Sequence, residues 1–493
     1  MSGPVILAID QGTTGTRAFL VSRGLDVVSS AYRELPQHFP RPGRVEHDPD
    51  EIWGTVVATV AEALERSGLE RSAIAGIGIT NQRETALIWR RDDGEAIHRA
   101  IVWQDRRTSG VCEDLTARGE GERIGAVTGL LADPYFSGTK LAWILDNVKG
   151  ARRMARDGKL AAGTIDSYLL WRLTGGAIHA TDITNASRTM LWPLEGDDWS
   201  AEMCEIISVP AGVLPRVASC SEVLGETRGF PGLPDGIPVC GMIGDQQSAL
   251  FAQGCFEPSS AKCTYGTGAF AMLNVGDRPA ARPAGLLSTI GWRTGGETTY
   301  CLEGSAFMAG ALVQWLRDGL GLFEKAAEVE DLARQVEDSG GVVVVPAHAG
   351  LGAPHWKPRA RGLVCGLTRG TTSAHLARAS LEGIAHQVAD LLEAMASATG
   401  RPLEILKVDG GAAANDLLMQ IQADLLGVGI ERPKNLESTA MGAVFMAGLG
   451  CGLFGDLEDL GAARKIERRF EPAGDPERIS QMRVAWADAV EKA

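Results

Sequence analysis

The sequence predicts an α/β protein in which helices cover mixed sheets and the second half of the chain restarts the architecture of the first. Three observations predict it. Apolar runs of strand length alternate with longer helical patterns. A strand, Gly/Thr turn, strand unit occurs at residues 5–21 and again at 262–275. No repeat with a period of roughly 20–50 residues runs through the chain, which disfavours solenoids and propellers and leaves a half-length duplication.

Val5 to Ile9 reads as a buried strand stopped by the turn Asp10 to Gly15, with Arg17 to Val21 as its hairpin partner. Ile74 to Thr80 is a second apolar strand, delivering Asn81-Gln82-Arg83-Glu84 at its carboxyl end. Helical patterns follow at Leu141 to Asn147 and Ser167 to Leu173. The turn-rich stretch Gly232 to Pro238 precedes an apolar segment, Val239 to Ile243, and Gly244-Asp245-Gln246-Gln247 opens a helix through Phe251. A domain junction is expected there, giving an N-terminal domain over 1–250 and a C-terminal domain over 251–493.

In the second half, Lys262 to Tyr265 leads into Gly266-Thr267-Gly268, and Phe270 to Val275 is the return strand. Ser305 to Leu316 and His375 to Ala394 are helix-like, and Ile405 to Val408 is a strand ending in Asp409-Gly410-Gly411. From Asn415 a helix carries Leu418, Ile421 and Leu425 on one face and stops at Gly427.

A chain of 493 residues is too long for one hydrophobic core and divides into two or three domains. Its 45% hydrophobic and 22% charged composition is that of a soluble globular protein. The net charge of −14 argues against broad binding to nucleic acid or anionic membranes, but leaves room for a nucleotide held by a few local donors. The nine cysteines are scattered, with no C-x-x-C pair, so neither a disulfide framework nor a zinc site is indicated; small buried thiols in a reducing cytosol fit best. Val5 to Ile9 is too short for a secretory signal and ends in Asp10. No uncharged apolar run reaches the ~18 residues of a membrane span. A cytoplasmic protein without an integral membrane segment is expected.

Two Gly/Thr turns stand about half a chain apart, Gln11 to Thr16 and Gly266 to Gly268. Glycine lets backbone N–H groups approach a polyphosphate, and threonine adds hydroxyl donors. Asp10, at a strand end, is placed to bind Mg²⁺ directly or through water. Either turn alone is more simply a tight hairpin without a ligand; the pair across two halves points to a phosphate clamp. There is no G-x-x-x-x-G-K-[ST] of a P-loop, no H-R-D or D-F-G of a protein kinase, and no G-x-G-x-x-G following a strand. Val408 to Asn415 adds a double glycine between a strand and a helix, suited to close passage of an adenosine or phosphate group, or to packing of a βα loop. Gly310 sits in a helical pattern at a cost of ~1 kcal/mol relative to alanine, which a close backbone approach would explain.

From the first strand to beyond Gly448, a series of segments in order resembles the FGGY sugar and polyol kinase family of the actin/hexokinase superfamily, and within it the branch that phosphorylates glycerol. The segments are Asp10 to Thr14, Pro42 to Pro49, Gly78 to Glu84, Ile101 to Gln104, Asp133 to Lys140, Thr184 to Met190, Gly244 to Gln247, Thr264 to Gly268, Phe307 to Gly310 and Asp409 to Gly411. The resemblance implies two ribonuclease-H-like (actin-like ATPase) domains with a catalytic cleft between them. It implies ATP and Mg²⁺, glycerol as the small-molecule substrate, sn-glycerol 3-phosphate as product, and a homodimer or homotetramer. On matching positions, Thr13, Thr14, Gly15, Arg17, Gly266, Thr267, Gly310, Gln314, Gly411 and Asn415 would contact the nucleotide. Arg83, Glu84, Trp103, Tyr135, Asp245, Gln246 and Phe270 would form the glycerol pocket, with Asp245 as general base and Asp10 and Asp245 as metal ligands.

These residue types suit the chemistry. Glycerol offers three hydroxyls on an uncharged chain, so a selective site needs fixed donors (Arg83), an acceptor (Glu84), further polar contacts (Tyr135, Gln246) and apolar walls (Trp103, Phe270). Phosphoryl transfer is mostly positioning and charge stabilisation, with a carboxylate such as Asp245 taking the hydroxyl proton late. Without that context, Arg83-Glu84 also reads as a solvated ion pair, the three aromatics as core, and Asp245 as an N-cap. Three alternatives stay open: a kinase of another small polyol or ketose, an actin- or chaperone-like ATPase that phosphorylates no small molecule, and a catalytically silent regulator, which is disfavoured because no expected catalytic position is lost. Gly15-Thr16 stands where the family pattern has two serines, and His355 and Lys357 stand for a tyrosine and an aspartate. Thr227 to Gly232 matches neither regulatory loop of the family, so neither form of regulation is expected.

Overall fold

The computed structural model describes residues 3–280, 285–357, 359–435, 437–462 and 464–493. The chain forms two compact units, one of Met1–Ala252, Ser288–Tyr300 and Ser438–Ala463, the other of Gln253–Leu287, Cys301–Glu437 and Arg464–Ala493. No helix among the described residues is long and apolar enough to cross a membrane.

The first unit is built on a six-stranded sheet in the order Gly225–Glu226, Pro238–Gly244, Ile74–Asn81, Val5–Gln11, Gly15–Ser22, Val27–Glu34. Its three central strands run parallel, and the last two fold back as an antiparallel meander. Val5–Gln11 and Ile74–Asn81 are apolar almost throughout because both faces are covered. On one side lies the helix Pro49–Ser67, capped by Asp48 and ended by Gly68 in the left-handed region (φ 63°); it buries Ile52, Val56 and Val60. The helix Ser438–Gly450 also packs on this sheet. Glycine makes its approach possible: a Cβ on Gly78 would lie 2.2 Å from the Ala443 carbonyl oxygen, and one on Gly241 would lie 2.3 Å from the Ala447 nitrogen.

Register decides where the chemistry goes. Thr80 pairs with Asp10 on one side and with Ile243 on the other, so the chain leaves three neighbouring strands at one sheet edge. That edge carries Asp10, the run Asn81 to Glu84, and Gly244-Asp245.

The second unit repeats the motif. Ala261–Tyr265 pairs antiparallel with Ala269–Gly276 through the Gly266–Gly268 turn, and parallel with Ile405–Asp409, Thr264 facing Asp409. Gly429–Pro433 and Ile466–Phe470 extend this sheet. Helix Ser373–Thr399 buries Leu381, Ile384, Val388 and Leu392 in the core of this unit. Helix Asp416–Leu426 has Asn415 as its N-cap and ends at Gly427.

The helical pattern over Ser305 to Leu316 divides differently from expectation. Ser305 and Ala306 complete the strand Glu297–Ala306, and the helix covers only Gly310–Asp318. The Ala309 and Ala311 N–H groups donate to the Thr267 carbonyl and that of Gly310 to Gly266, which starts the helix on the turn. Gly310 is therefore the first helical residue and not an interior one; a Cβ there would sit 2.7 Å from the Gly266 carbonyl oxygen. Of the nine cysteines, all free, seven are buried, and Cys365 and Cys451 are half-buried.

Candidate active site

At the sheet edge of the first unit, Arg83 reaches across to the helix that directly follows Pro238–Gly244. Its Nη1 donates to Gln247 Oε1 at 3.0 Å, and its Nε lies 3.2 Å from Asp245 Oδ1 and 3.8 Å from Glu84 Oε1. The side chains of Arg83 and Glu84 are 2% exposed, whereas that of Asp245 is 30% exposed and faces outward from the pair. Asp245 Oδ1 also accepts from the Gln246 N–H at 2.7 Å, and Gln246 is half-buried beside it. Asp245 is the first residue of the helix Asp245–Ala252.

Glu84 has a φ of 59°, a left-handed backbone unusual for a side-chain-bearing residue. Two buried groups hold it there. Arg188 Nε donates to Glu84 Oε1 at 2.6 Å, and Ser137 Oγ donates to its carbonyl at 3.2 Å. The Arg188 guanidinium also lies over the rings of Phe136 and Tyr135, 5.1 and 5.6 Å from their centroids. Tyr135 meets Trp103 edge to face, with ring centroids 5.6 Å apart. The fully buried Lys140 donates through Nζ to the carbonyls of Pro134 and Tyr135, and burial pushes its ammonium down to about 7. Five of the seven expected pocket residues, Arg83, Glu84, Trp103, Tyr135 and Asp245, thus fall into one linked set through Arg188. Phe270 lies in the second unit, in strand Ala269–Gly276 beside the Gly266–Gly268 turn.

The turn Thr13, Thr14, Gly15 is closed by the Gly12 N–H donating to the Gly15 carbonyl at 2.9 Å. Gln82, 1% exposed, supports it from beneath: its N–H donates to the Gln11 carbonyl, and its Nε2 donates to Gln11 Oε1 at 3.0 Å and the Gly12 carbonyl at 3.2 Å. His47, buried, accepts from the same Nε2 at 3.2 Å, and burial pushes its imidazole down to about 4. Thr13 and Thr14 remain partly open to solvent. Thr16 does not face that way, since its hydroxyl is buried against Thr55 at 2.7 Å.

In the second unit, Gly266, Thr267, Gly310, Gln314, Gly411 and Asn415 all line one cavity of about 430 Å³. Gly410 has a φ of 85°, and a Cβ there would lie 2.6 Å from the Tyr265 carbonyl oxygen, so the double glycine lets the two loops touch. Asn415 Oδ1 is used in capping, accepting from the Leu418 N–H at 2.8 Å, which leaves its amide N–H groups for a ligand. Glu330, in the cavity wall, accepts from the Asp416 and Leu417 N–H groups and so fixes the same helix N-terminus.

The N-terminal domain of the FGGY family of carbohydrate kinases matches residues 5–252, and the C-terminal domain of that family matches residues 261–451. The chain belongs to the FGGY family of carbohydrate kinases. Among its relatives are the glycerol kinase of Myxococcus xanthus, 54% identical over 99% of both chains, and that of Carboxydothermus hydrogenoformans, 52% identical over 100% of this chain and 99% of its own. The Plasmodium falciparum glycerol kinase with ADP superposes with a TM-score of 0.94 at 34% identity, over 99% of this chain and 98% of that one. A gluconate kinase from Lactobacillus acidophilus shares the fold, with a TM-score of 0.88 at 24% identity over 99% and 97% of the two chains. The protein is thus an FGGY enzyme of the actin-like ATPase fold.

Several residues packed against the candidate site escape sequence reasoning: Gln82, Lys140, Arg188, Gln247 and Glu330. Arg188 and Gln82 stand inside recognisable motifs, which was the available signal, but a polar residue type alone says nothing about burial. The departures at His355 and Lys357 have a structural use. His355 Nε2 pairs with Asp390 Oδ2 at 2.7 Å, and Lys357 Nζ donates to the Val490 carbonyl at 2.8 Å, tying their loop to helices Ser373–Thr399 and Pro476–Lys492. The Thr227 to Gly232 loop closes on itself, Thr227 Oγ1 donating to the Pro234 carbonyl and the Gly229 N–H to Asp235. Among the described residues no group of three or more His, Cys, Asp or Glu side chains could hold a metal ion. Asp10 and Asp245, the carboxylates expected as metal ligands, stand at the same sheet edge of the first unit, and Mg²⁺ takes one or two protein carboxylates and completes its shell with phosphates and water.

Proposed function

We propose that this protein transfers the γ-phosphoryl group of ATP to glycerol, yielding sn-glycerol 3-phosphate and ADP. The supporting observation is the linked set Asp245–Arg83–Glu84–Arg188: two buried arginines lock one carboxylate, Glu84, while the half-exposed Asp245 keeps a carboxylate edge toward solvent. Arg83 and Glu84 bind glycerol hydroxyls as donor and acceptor, with Gln246 and the Tyr135 hydroxyl adding contacts. Trp103 and Phe270 cover the carbon chain. Asp245 orients the attacking hydroxyl and takes its proton as the new O–P bond forms and the bond to the β-phosphate oxygen breaks.

Nucleotide-contacting roles fall, within the first unit, to Thr13, Thr14, Gly15 and Arg17 and, within the second, to Gly266, Thr267, Gly310, Gln314, Gly411 and Asn415. Asp10 and Asp245 are the carboxylates that would hold Mg²⁺, whose charge neutralises the phosphate oxygens when bound. The same reading places the enzyme in the cytoplasm as a homodimer or homotetramer, with domains over 1–250 and 251–493.

The test is ADP production with ATP and a series of polyols from three to five carbons. Glycerol is expected to give the highest kcat/KM. A preference for a tetritol, pentitol or ketose would replace the substrate assignment, and ADP production independent of any alcohol would replace the kinase with a plain ATPase.

A further inference from the structure

The departure at Gly15 has a physical counterpart seventeen residues away along the chain. Gly15 opens the strand Gly15–Ser22, which pairs with Val27–Glu34, and in that register Arg17 faces Tyr32 directly. A Cβ on Gly15 would lie 2.5 Å from Tyr32 Cε2, 2.5 Å from the Tyr32 hydroxyl oxygen and 2.5 Å from the Arg33 carbonyl oxygen. Approaches that short do not occur, so the Tyr32 ring lies where a side chain at position 15 would project. Its opposite resource is used as well: the Arg17 guanidinium lies 5.0 Å from the ring centroid. The hydroxyl donates to the Thr14 carbonyl at 3.4 Å, and that carbonyl also accepts from the Leu35 N–H at 2.9 Å.

One side chain therefore touches three consecutive parts of the phosphate turn: the carbonyl of Thr14, the backbone of Gly15 and the cation of Arg17. Tyr32 is itself 42% exposed, so it is held in place by these contacts and not by burial in the core. Building on the nucleotide site proposed above, we infer that Tyr32 is a positioning residue for the nucleotide, and that it works only because position 15 is glycine. The ring fixes the direction of Arg17, and the hydroxyl fixes Thr14, so that both meet the polyphosphate in one arrangement.

The experiment is nucleotide binding by calorimetry together with steady-state kinetics on the full chain, using Tyr32→Phe, Tyr32→Leu, Gly15→Ser and the double variant Gly15→Ser/Tyr32→Ala. Tyr32→Leu is expected to weaken ADP binding and raise the MgATP KM about two- to fivefold, the size of an exposed cation–π contact, with the glycerol KM unchanged. Tyr32→Phe keeps the ring and is expected to show a smaller shift. Gly15→Ser is expected to be more damaging than either, and Tyr32→Ala in that background to recover only the part due to the ring, since the Arg33 carbonyl oxygen still lies 2.5 Å from the added Cβ. Unchanged ADP binding in Tyr32→Leu, or an equal shift in both KM values, would each overturn the inference. Failure of the function itself has a different signature: the unaltered chain would bind ADP yet show no glycerol-dependent turnover.

Discussion

Trp103 Nε1 donates a hydrogen bond to Thr13 Oγ1 at 2.9 Å. One indole therefore belongs to two places at once: its ring packs edge to face on Tyr135 in the proposed glycerol pocket, and its N–H holds the first threonine of the phosphate turn. A neutral hydrogen bond is worth ~0.5–1.5 kcal/mol net, enough to set the turn when glycerol orders the ring. Trp103→Phe keeps an aromatic wall and removes the donor. It is expected to raise the KM for MgATP as well as for glycerol, each by about two- to tenfold. Thr13→Val should reproduce the MgATP part, and the double variant should fall short of the product of the two. Fully multiplicative effects would show that the bond couples nothing.

Asp245→Asn keeps the size of the side chain and its place at the start of its helix, while removing the acceptor of the hydroxyl proton. A positioned general base contributes about 10²–10⁴-fold, so kcat should fall by that factor. Glycerol binding, measured directly by calorimetry, should change little, because Arg83 keeps its bond to Gln247. Near-normal turnover in Asp245→Asn would remove this residue from the chemistry.

Glu84 carries a heavier structural duty than its neighbour. It is the shared counterion of Arg83 and Arg188, and all three side chains are at most 2% exposed. Breaking a buried ion pair by neutralising one partner costs ~3–5 kcal/mol, because the remaining charge stays desolvated. Glu84→Gln is expected to lower the thermal midpoint of the first unit and to raise the glycerol KM at least tenfold by the same principle. Calorimetric melting with and without glycerol checks both. A variant that melts like the unaltered chain would show that Glu84 is not the charge that Arg188 needs.

Much of this framework is legible in the chain itself, for physical reasons. Val5 to Ile9 and Ile74 to Thr80 read as strands because a strand buried on both faces carries an unbroken apolar run. Asp245 stands out because a carboxylate directly after such a run has few structural excuses. What is not legible is any polar group whose burial depends on a partner far along the sequence. Arg188 meets Glu84 across 104 residues, and Gln82 meets Gln11 across 71, and neither spacing leaves a local signature. Periodicity also fails where two elements abut. Ser305 to Leu316 reads as one helix, although the Gly266–Thr267 backbone starts the helix five residues later, at Gly310. Gly78 and Gly241 look like weak points in their strands until the helix Ser438–Gly450 is seen resting on them.

Acid should destabilise the fold through histidines that are buried uncharged. Burial pushes His47 and His179 down to about 4 and His386 to about 3, from an ordinary 6.5. The surroundings do not favour a charge: His179 sits between Trp89 and Trp171 with its Nε2 donating to the Ala162 carbonyl, and Arg91 lowers it further. Between pH 6.5 and about 4 the unfolded chain binds these protons and the folded one does not, so stability present above 6.5 is lost as pH falls. Asp166 works in the opposite direction. Burial, with the nearby Asp182, raises its carboxyl to about 7, so its contribution is fully present below 3.8 and lost as pH rises toward 7. Burial also raises the carboxyls of Asp182, Glu382 and Glu393, which act with Asp166, so the loss due to the imidazoles between pH 6.5 and pH 4.5 is read as the difference between the unaltered chain and a histidine variant. His179→Gln keeps a donor for the Ala162 carbonyl and should flatten the pH dependence in the first unit. A His179→Gln profile parallel to that of the unaltered chain would mean that this imidazole accepts its proton in the folded state.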